Sequence, residues 1–124
     1  MSAGMKFDTN KLEYNLVDFR ALAWLVAALT YGAIKYERNN WRLVERADER
    51  YYDALLRHVE EWRAGEMYDS ESGLPHLAHA MFCVMCLCAL YVPGKLSDIN
   101  ARTVEACRRA RELRAARERL QIEA

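Results

Sequence analysis

Potential chemistry is concentrated in residues 57–79, RHVEEWRAGEMYDSESGLPHLAH, which contain all three histidines of the chain, four glutamates and one aspartate. Polar groups held this densely beside apolar segments cost stability unless they are paired or bind a ligand. Imidazole nitrogens and carboxylate oxygens together are common ligands of divalent transition metals. The stretch therefore predicts a mixed nitrogen and oxygen metal site.

Two helices and a short loop must position these side chains. The first helix is predicted over residues 51–64, and Gly65 suits its C-terminal cap. The second is predicted to start near Pro75, a residue favoured in the first turn, and to continue to about residue 92. The intervening residues 66–73 then form an acidic loop.

The spacing predicts that the histidines meet beside this loop. At about 1.5 Å per residue, His58 lies roughly 9 Å before the turn and His79 roughly 6 Å after it. Antiparallel packing, which a short loop favours, places the two rings at similar heights, and His76 shares a helical face with His79. Taken alone, His58 also fits a histidine at the core boundary that bonds a carbonyl group. The loop acids are expected above the shared face: Glu66, Asp69 and Glu71.

The rest of the chain predicts an all-α fold. Over residues 16–37, apolar residues recur at intervals of three and four positions, which predicts a helix. Residues 75–92 are apolar on almost the whole helix circumference, which is typical of a central helix. A charged helix is predicted from Ser97 as its N-cap, with an apolar residue every seven positions. We therefore expect a small bundle of three long core helices plus a charged C-terminal helix. The expected domains are a helical domain that carries the predicted metal site, 1–95, and a helix for docking or oligomerisation, 96–124.

Composition narrows the class of protein. The 124 residues carry eighteen basic and eighteen acidic side chains, so the formal charge of zero argues against general affinity for nucleic acid or membranes. Three of the four cysteines lie in one apolar segment, and Cys83-x-x-Cys86 is placed mid-helix, so reduced thiols are expected rather than disulfides or a zinc site. No signal sequence or span of ~20 apolar residues is found. The expected location is the cytoplasm.

Polar and aromatic side chains also gather where the first long helix ends. Lys35, Tyr36, Asn40 and Trp41 could hold a phosphate and a base, or could cap the helix and cover a core edge. Composition alone favours neither interpretation. Lys6, like any isolated lysine, fits solvated surface.

Taken in order, the motifs resemble the bacteriophage dATP/dGTP diphosphohydrolase N-terminal family over about residues 6–90. They are K-F-D-x-x-K, Y-G-x-x-K-Y with N-N-W, R-H-x-x-x-W-x-x-G-E and D-x-E-S-G-L-P-H-L-A-H. The resemblance implies an all-helical phage enzyme, grouped loosely with MazG-like nucleotide pyrophosphohydrolases. Such an enzyme uses a divalent metal to release pyrophosphate from dGTP or dATP. The usual MazG-like pair of carboxylate patterns, E-x-x-E and E-x-x-D on two helices, is not found on suitable helices here, and histidines occur instead.

The resemblance implies roles for residues that match its motifs. The expected metal ligands are His58, Asp69, His76 and His79. Glu66 or Glu71 is expected as a further ligand or as the base that orients water. The expected metal is magnesium, manganese or cobalt. Glu60 and Glu61 lie outside the motif, and we expect them to be solvated helix charges.

The same resemblance implies a nucleotide site. Lys35 and Arg57 are expected to contact phosphates, and Lys6 and Lys11 to close over the nucleotide. Trp41 or Tyr36 is expected to stack on the purine. Two further motif residues complete the expected nucleotide-binding set: Asp8, and Asn40 at the base edge.

Two other functions remain open from the sequence. One is a different histidine and carboxylate metal phosphohydrolase, acting for instance on nucleoside monophosphates. The other is a non-enzymatic helical module whose C-terminal helix binds a partner. The expected partners are a purine deoxynucleoside triphosphate and further copies of the chain, in a homodimer or higher homo-oligomer, with no nucleic acid and no membrane.

Overall fold

The chain folds into four α-helices in the computed structural model, which describes residues 2–123. They are α1 (Phe19–Lys35), α2 (Ala47–Arg63), α3 (His76–Tyr91) and α4 (Leu96–Glu123), with single-turn 3₁₀ helices at Tyr14–Leu16 and Asn40–Leu43. Over the described residues the only β-type pairing is an isolated antiparallel bridge between Tyr68 and Pro75. The predicted all-α fold is confirmed.

Helix α3 is the centre of a compact unit, Asn15–Pro93, in which it packs against both α1 and α2. Its apolar circumference predicts this central position. The fully buried core is built from small side chains, which let the helix backbones approach closely: Ala28, Ala47, Ala78, Ala80, Cys83 and Cys86. Residues 2–14 and 94–123 form a second compact unit.

The first-turn N–H groups of α1 and α2 are bonded by different side chains. Asp18 caps α1, since its carboxylate accepts the backbone N–H groups of Arg20 and Ala21 at 2.8 and 3.1 Å. Helix α2 begins earlier than the predicted residue 51. The first N–H groups of a helix have no carbonyl partner within the helix. In α2, one of them, the Asp48 N–H, donates to the Tyr91 hydroxyl at 2.9 Å.

Helix α2 ends where the sequence predicts. Gly65 has φ +105, a conformation that favours glycine, and its N–H donates to the Trp62 carbonyl at 3.0 Å. The Glu66 N–H donates to the Glu61 carbonyl at 3.0 Å. This pair of bonds is a Schellman motif, which turns the chain back so that Glu66 lies against the last turn of α2.

The loop between α2 and α3 is closed at its base. The His76 N–H donates to the Met67 carbonyl at 3.0 Å, and the Asp69 N–H donates to the Leu74 carbonyl at 2.8 Å. The loop acids are therefore held beside the first turn of α3.

Helix α4 begins at Leu96, and the prediction that Ser97 caps it is wrong. Ser97 lies inside the helix, and the Asp98 carboxylate accepts the Lys95 N–H at 2.8 Å. Pairs such as Arg114–Glu118, at 3.1 Å, run along its surface. Over residues 2–123, no single helix combines the length and the hydropathy required to cross a membrane.

One face of α1 is apolar and exposed to solvent. Phe19, Val26 and Ile34 recur along it with 79%, 50% and 83% of their surface exposed. Because α1 is apolar on most of its circumference, packing one side against α3 leaves this second face uncovered.

Candidate metal and nucleotide site

Four side chains from α2, the loop and α3 converge into what we call the histidine–acid cluster: His58, Glu61, Asp69 and His76. One ligand atom from each lies within 4.8 Å of every other. The cluster contains three of the four predicted metal ligands. The loop and the antiparallel helices assemble it as the spacing predicts.

His76 is the most enclosed member, with 1% of its surface exposed. Its Nδ1 lies 2.9 Å from His58 Nδ1 and 3.2 Å from Glu61 Oε2. Two ligand atoms bound at right angles to one ion, at about 2.1 Å each, are separated by about 3.0 Å. The donor set and its separations therefore fit a divalent cation.

Glu61 is the residue that the sequence interpretation missed. It was expected to be solvated, whereas its carboxylate contacts His76 with half of the side chain still exposed. The spacing His58-x-x-Glu61 was the available signal, because residues three apart share a helical face. The neighbouring Glu60 is exposed, as expected.

The predicted ligand His79 lies beside the cluster, and a serine holds it there. The Ser72 hydroxyl lies 2.8 Å from Asp69 Oδ2 and 2.7 Å from His79 Nε2. The hydroxyl has one proton, which it donates to the carboxylate, so its oxygen accepts from His79 Nε2–H. Nε2 of His79 is thereby engaged, and the chain Asp69–Ser72–His79 links the loop to α3.

The surroundings of His58, His79 and Asp69 shift their pKa values in the directions that favour cation binding. Burial lowers the pKa of His58, reinforced by the nearby His79 and His76 rings, and burial also lowers the pKa of His79. Burial alone would raise the pKa of Asp69, but hydrogen bonds from the Ser72 N–H and hydroxyl outweigh it and lower that pKa. Neutral imidazoles beside an ionised carboxylate are the protonation states that metal binding requires.

A pocket of about 840 Å³ opens next to the cluster, within the size range of small-molecule sites. His58 and Asp69 belong both to the cluster and to the pocket wall. The pocket lining also includes seven further residues whose sequence roles were predicted: Lys35, Tyr36, Asn40, Trp41, Arg57, Glu71 and His79. The structure thus brings the predicted phosphate, base and metal residues to one place.

Cationic side chains lie against two aromatic residues of the pocket lining, Tyr36 and Trp41. Lys35 Nζ lies 2.7 Å from Glu71 Oε1, a hydrogen bond that raises the lysine pKa above its ordinary value. The same Nζ lies 5.3 Å from the centre of the Tyr36 ring, and the Arg42 guanidinium lies 4.2 Å from the centre of the Trp41 ring. The lining also includes charged and aromatic residues for which no role was predicted, among them Tyr31, Arg38 and Arg50.

The remaining predicted site residues are not among the described residues that line the pocket. Lys6, Asp8 and Lys11 are exposed and belong to the unit of residues 2–14 and 94–123; the Lys11 N–H donates to the Asp8 carbonyl at 3.3 Å. Glu66 is not part of the pocket lining among the described residues. Its Oε2 lies 3.5 Å from His76 Nε2, on the opposite side of that ring from the cluster.

Comparison with known proteins shows the family to which the chain is similar. Residues 1–100 match the family described as dATP/dGTP diphosphohydrolase, N-terminal. A dATP/dGTP diphosphohydrolase of Salmonella phage PMBT28 is 40% identical over 77 residues, which are 62% of this chain and 26% of that protein. The chain thus spans about a quarter of the length of this relative. No solved structure matches the chain.

Proposed function

Because the chain belongs to the dATP/dGTP diphosphohydrolase N-terminal family, we propose that it hydrolyses dGTP and dATP to monophosphate and pyrophosphate with a divalent metal. The observation that supports this most is the sharing of His58 and Asp69 between the histidine–acid cluster and the cation-lined pocket. A triphosphate in that pocket would lie against a metal site on one side and basic side chains on the other.

The basic residues bind the phosphates in this proposal. Lys35 and Arg57 both line the pocket and can share the charge of a triphosphate. The purine stacks on Trp41 or Tyr36, and the Asn40 amide, which offers both a donor and an acceptor, contacts the base edge. Lys35 must exchange Glu71 for phosphate when substrate enters.

The cluster residues would hold the metal: His58, Glu61, Asp69 and His76. When bound, a divalent metal lowers the pKa of water and neutralises charge that develops on phosphate oxygens. Ser72 fixes Asp69 and His79 relative to each other, so the carboxylate does not have to be ordered during binding.

Glu71 is the better candidate for the base that takes up the proton of the attacking water. It lines the pocket, whereas the Glu66 carboxylate faces the far nitrogen of His76. Once phosphate has taken Lys35, the Glu71 carboxylate loses its cation partner and is free to contact the attacking water. Substrate binding would thus prepare the base.

We also propose that the chain acts in the cytoplasm, where deoxynucleotides are available, as a homo-oligomer. The exposed apolar face of α1 supports this, since burying Phe19, Val26 and Ile34 against a second copy removes apolar surface from water. Sedimentation analysis should show a dimer or larger species, and Ile34→Lys should shift it towards monomer. A wild-type monomer at micromolar concentration would contradict this proposal.

The decisive experiment is a panel of deoxynucleoside triphosphates incubated with magnesium, manganese or cobalt, with products separated by ion exchange. Monophosphate and pyrophosphate from dGTP or dATP are expected. Free phosphate from a nucleoside monophosphate would favour a different phosphohydrolase. An absence of turnover together with an absence of any nucleotide-dependent thermal shift would favour a non-enzymatic helical module.

A further inference from the structure

The Nε2 atom of His76 lies on the side of the ring that faces away from the histidine–acid cluster. His76 Nε2 is buried and has no hydrogen-bond partner among the described residues. A buried polar atom without a partner costs free energy, so its surroundings indicate what it is meant to meet. The nearest carboxylate oxygen is Glu66 Oε2, at 3.5 Å.

The backbone places Glu66 there. The Schellman motif at the end of α2 returns the chain over the last turn, with the Glu66 N–H bonded to the Glu61 carbonyl at 3.0 Å. The next residue, Met67, accepts the His76 N–H at 3.0 Å. Glu66 is thus anchored on both sides next to the His76 ring, while half of its side chain surface remains exposed.

The two nitrogens of His76 face different carboxylates. Nδ1 lies 3.2 Å from Glu61 Oε2, within the cluster, and Nε2 lies 3.5 Å from Glu66 Oε2, outside it. A neutral imidazole has one proton, and the carboxylate that accepts it determines which nitrogen keeps a lone pair. A proton held on Nε2 leaves Nδ1 free to bind a cation.

We infer that Glu66 is a positioning residue: its carboxylate, now 3.5 Å from His76 Nε2, closes to hydrogen-bond distance, accepts the Nε2–H and thereby presents Nδ1 to the metal site. This inference rests on the proposed function, in which His76 is a ligand. Carboxylates that accept the remote N–H of a metal-binding histidine fix its tautomer and ring orientation. Glu66 acts through His76 and has no contact with the pocket.

The test compares Glu66→Ala with Glu66→Gln, whose amide oxygen can still accept the proton. Glu60→Gln is the control, because Glu60 is an exposed glutamate near the same end of α2. Titration calorimetry with Mn²⁺ should show affinity about 10- to 100-fold weaker in Glu66→Ala, a smaller loss in Glu66→Gln and none in Glu60→Gln.

The second readout needs no metal. Long-range ¹H–¹⁵N spectra of the metal-free proteins at about pH 8, where imidazoles of ordinary pKa are neutral, report each histidine tautomer. Wild type and Glu66→Gln should keep the His76 proton on Nε2, and Glu66→Ala should shift it towards Nδ1, where Glu61 accepts it. Circular dichroism checks that each variant is folded.

The outcomes separate the two proposals. An unchanged His76 tautomer in Glu66→Ala would overturn the role of Glu66, whatever the metal affinity. Failure of wild type to bind Mn²⁺, Co²⁺ or Mg²⁺ would instead contradict the proposed metal site, and the tautomer comparison would still decide whether Glu66 holds the His76 proton.

Discussion

Lys35 at the end of α1 and Glu71 in the loop before α3 form an ion pair, with 2.7 Å between Nζ and Oε1. The pair closes one side of the pocket and joins two segments separated by 36 positions in the chain. Both side chains retain solvent contact, 34% and 64% exposed, and exposed ion pairs contribute little to stability. A role in substrate handling is therefore a better reason for the pair than a role in folding.

Lys35→Ala should raise KM for dGTP about tenfold to a hundredfold, because a charge-assisted bond to phosphate is lost. Glu71→Gln should instead lower kcat by a factor of about 100 or more, as expected for loss of a general base. Steady-state kinetics of the two variants checks both. The control is Lys95→Ala, an exposed lysine outside the pocket. Equal effects of the two pocket variants on KM and kcat would show a purely structural pair.

Glu61→Gln should weaken Mn²⁺ binding at least tenfold, whereas Glu60→Gln should leave it unchanged, since only Glu61 belongs to the histidine–acid cluster. Thermal unfolding offers a second measurement. Saturating metal at a hundred times its dissociation constant adds about 2.7 kcal/mol to wild-type stability. The same metal concentration should protect Glu61→Gln less. Identical protection of both variants would remove Glu61 from the ligand set.

Ser72→Ala should destabilise the protein by about 1–2 kcal/mol, because the half-buried Asp69 carboxylate loses a hydroxyl donor and His79 Nε2–H loses its acceptor. Turnover should fall as well, since Asp69 is no longer held in place. Urea unfolding followed by kinetics measures the two effects. Ser70→Ala, an exposed serine two residues away, is the matched control and should match wild type in both.

Stability should fall in strong alkali because of Tyr51. This phenol packs edge-on against Phe82, with 5.8 Å between ring centroids, and burial raises its pKa from 10.0 to about 12. The unfolded chain loses the proton first, so the stabilisation is complete below about pH 10 and is lost as pH rises towards 12.

Tyr51→Phe should therefore flatten the alkaline part of the stability curve measured by urea unfolding. Burial also raises the pKa of Cys86 to about 12, which leaves a residual slope of the same sign. The control is Tyr52→Phe, because the neighbouring Tyr52 is exposed. A curve for Tyr51→Phe that is as steep as that of wild type would contradict the assignment.

Much of the fold could be predicted because its signals are local. Gly65 and Pro75 mark helix ends through their own backbone chemistry, and the apolar circumference of residues 75–92 requires a buried position. Ser97 was misassigned as a cap because the helix starts one residue earlier, at Leu96, and the side chain that bonds a backbone donor there is Asp98, which accepts the Lys95 N–H.

The sequence by itself determined which groups are available near the loop, since a short connection between two antiparallel helices forces His58, Asp69 and His76 together. Only the tertiary structure decided how they are used. Glu61 joins the cluster because α2 packs against α3 with the Glu61 carboxylate 3.2 Å from His76, and His79 is engaged by Ser72 because the loop folds back over α3. Spacing along one helix determines a shared face, but distances between elements depend on packing that no local pattern encodes.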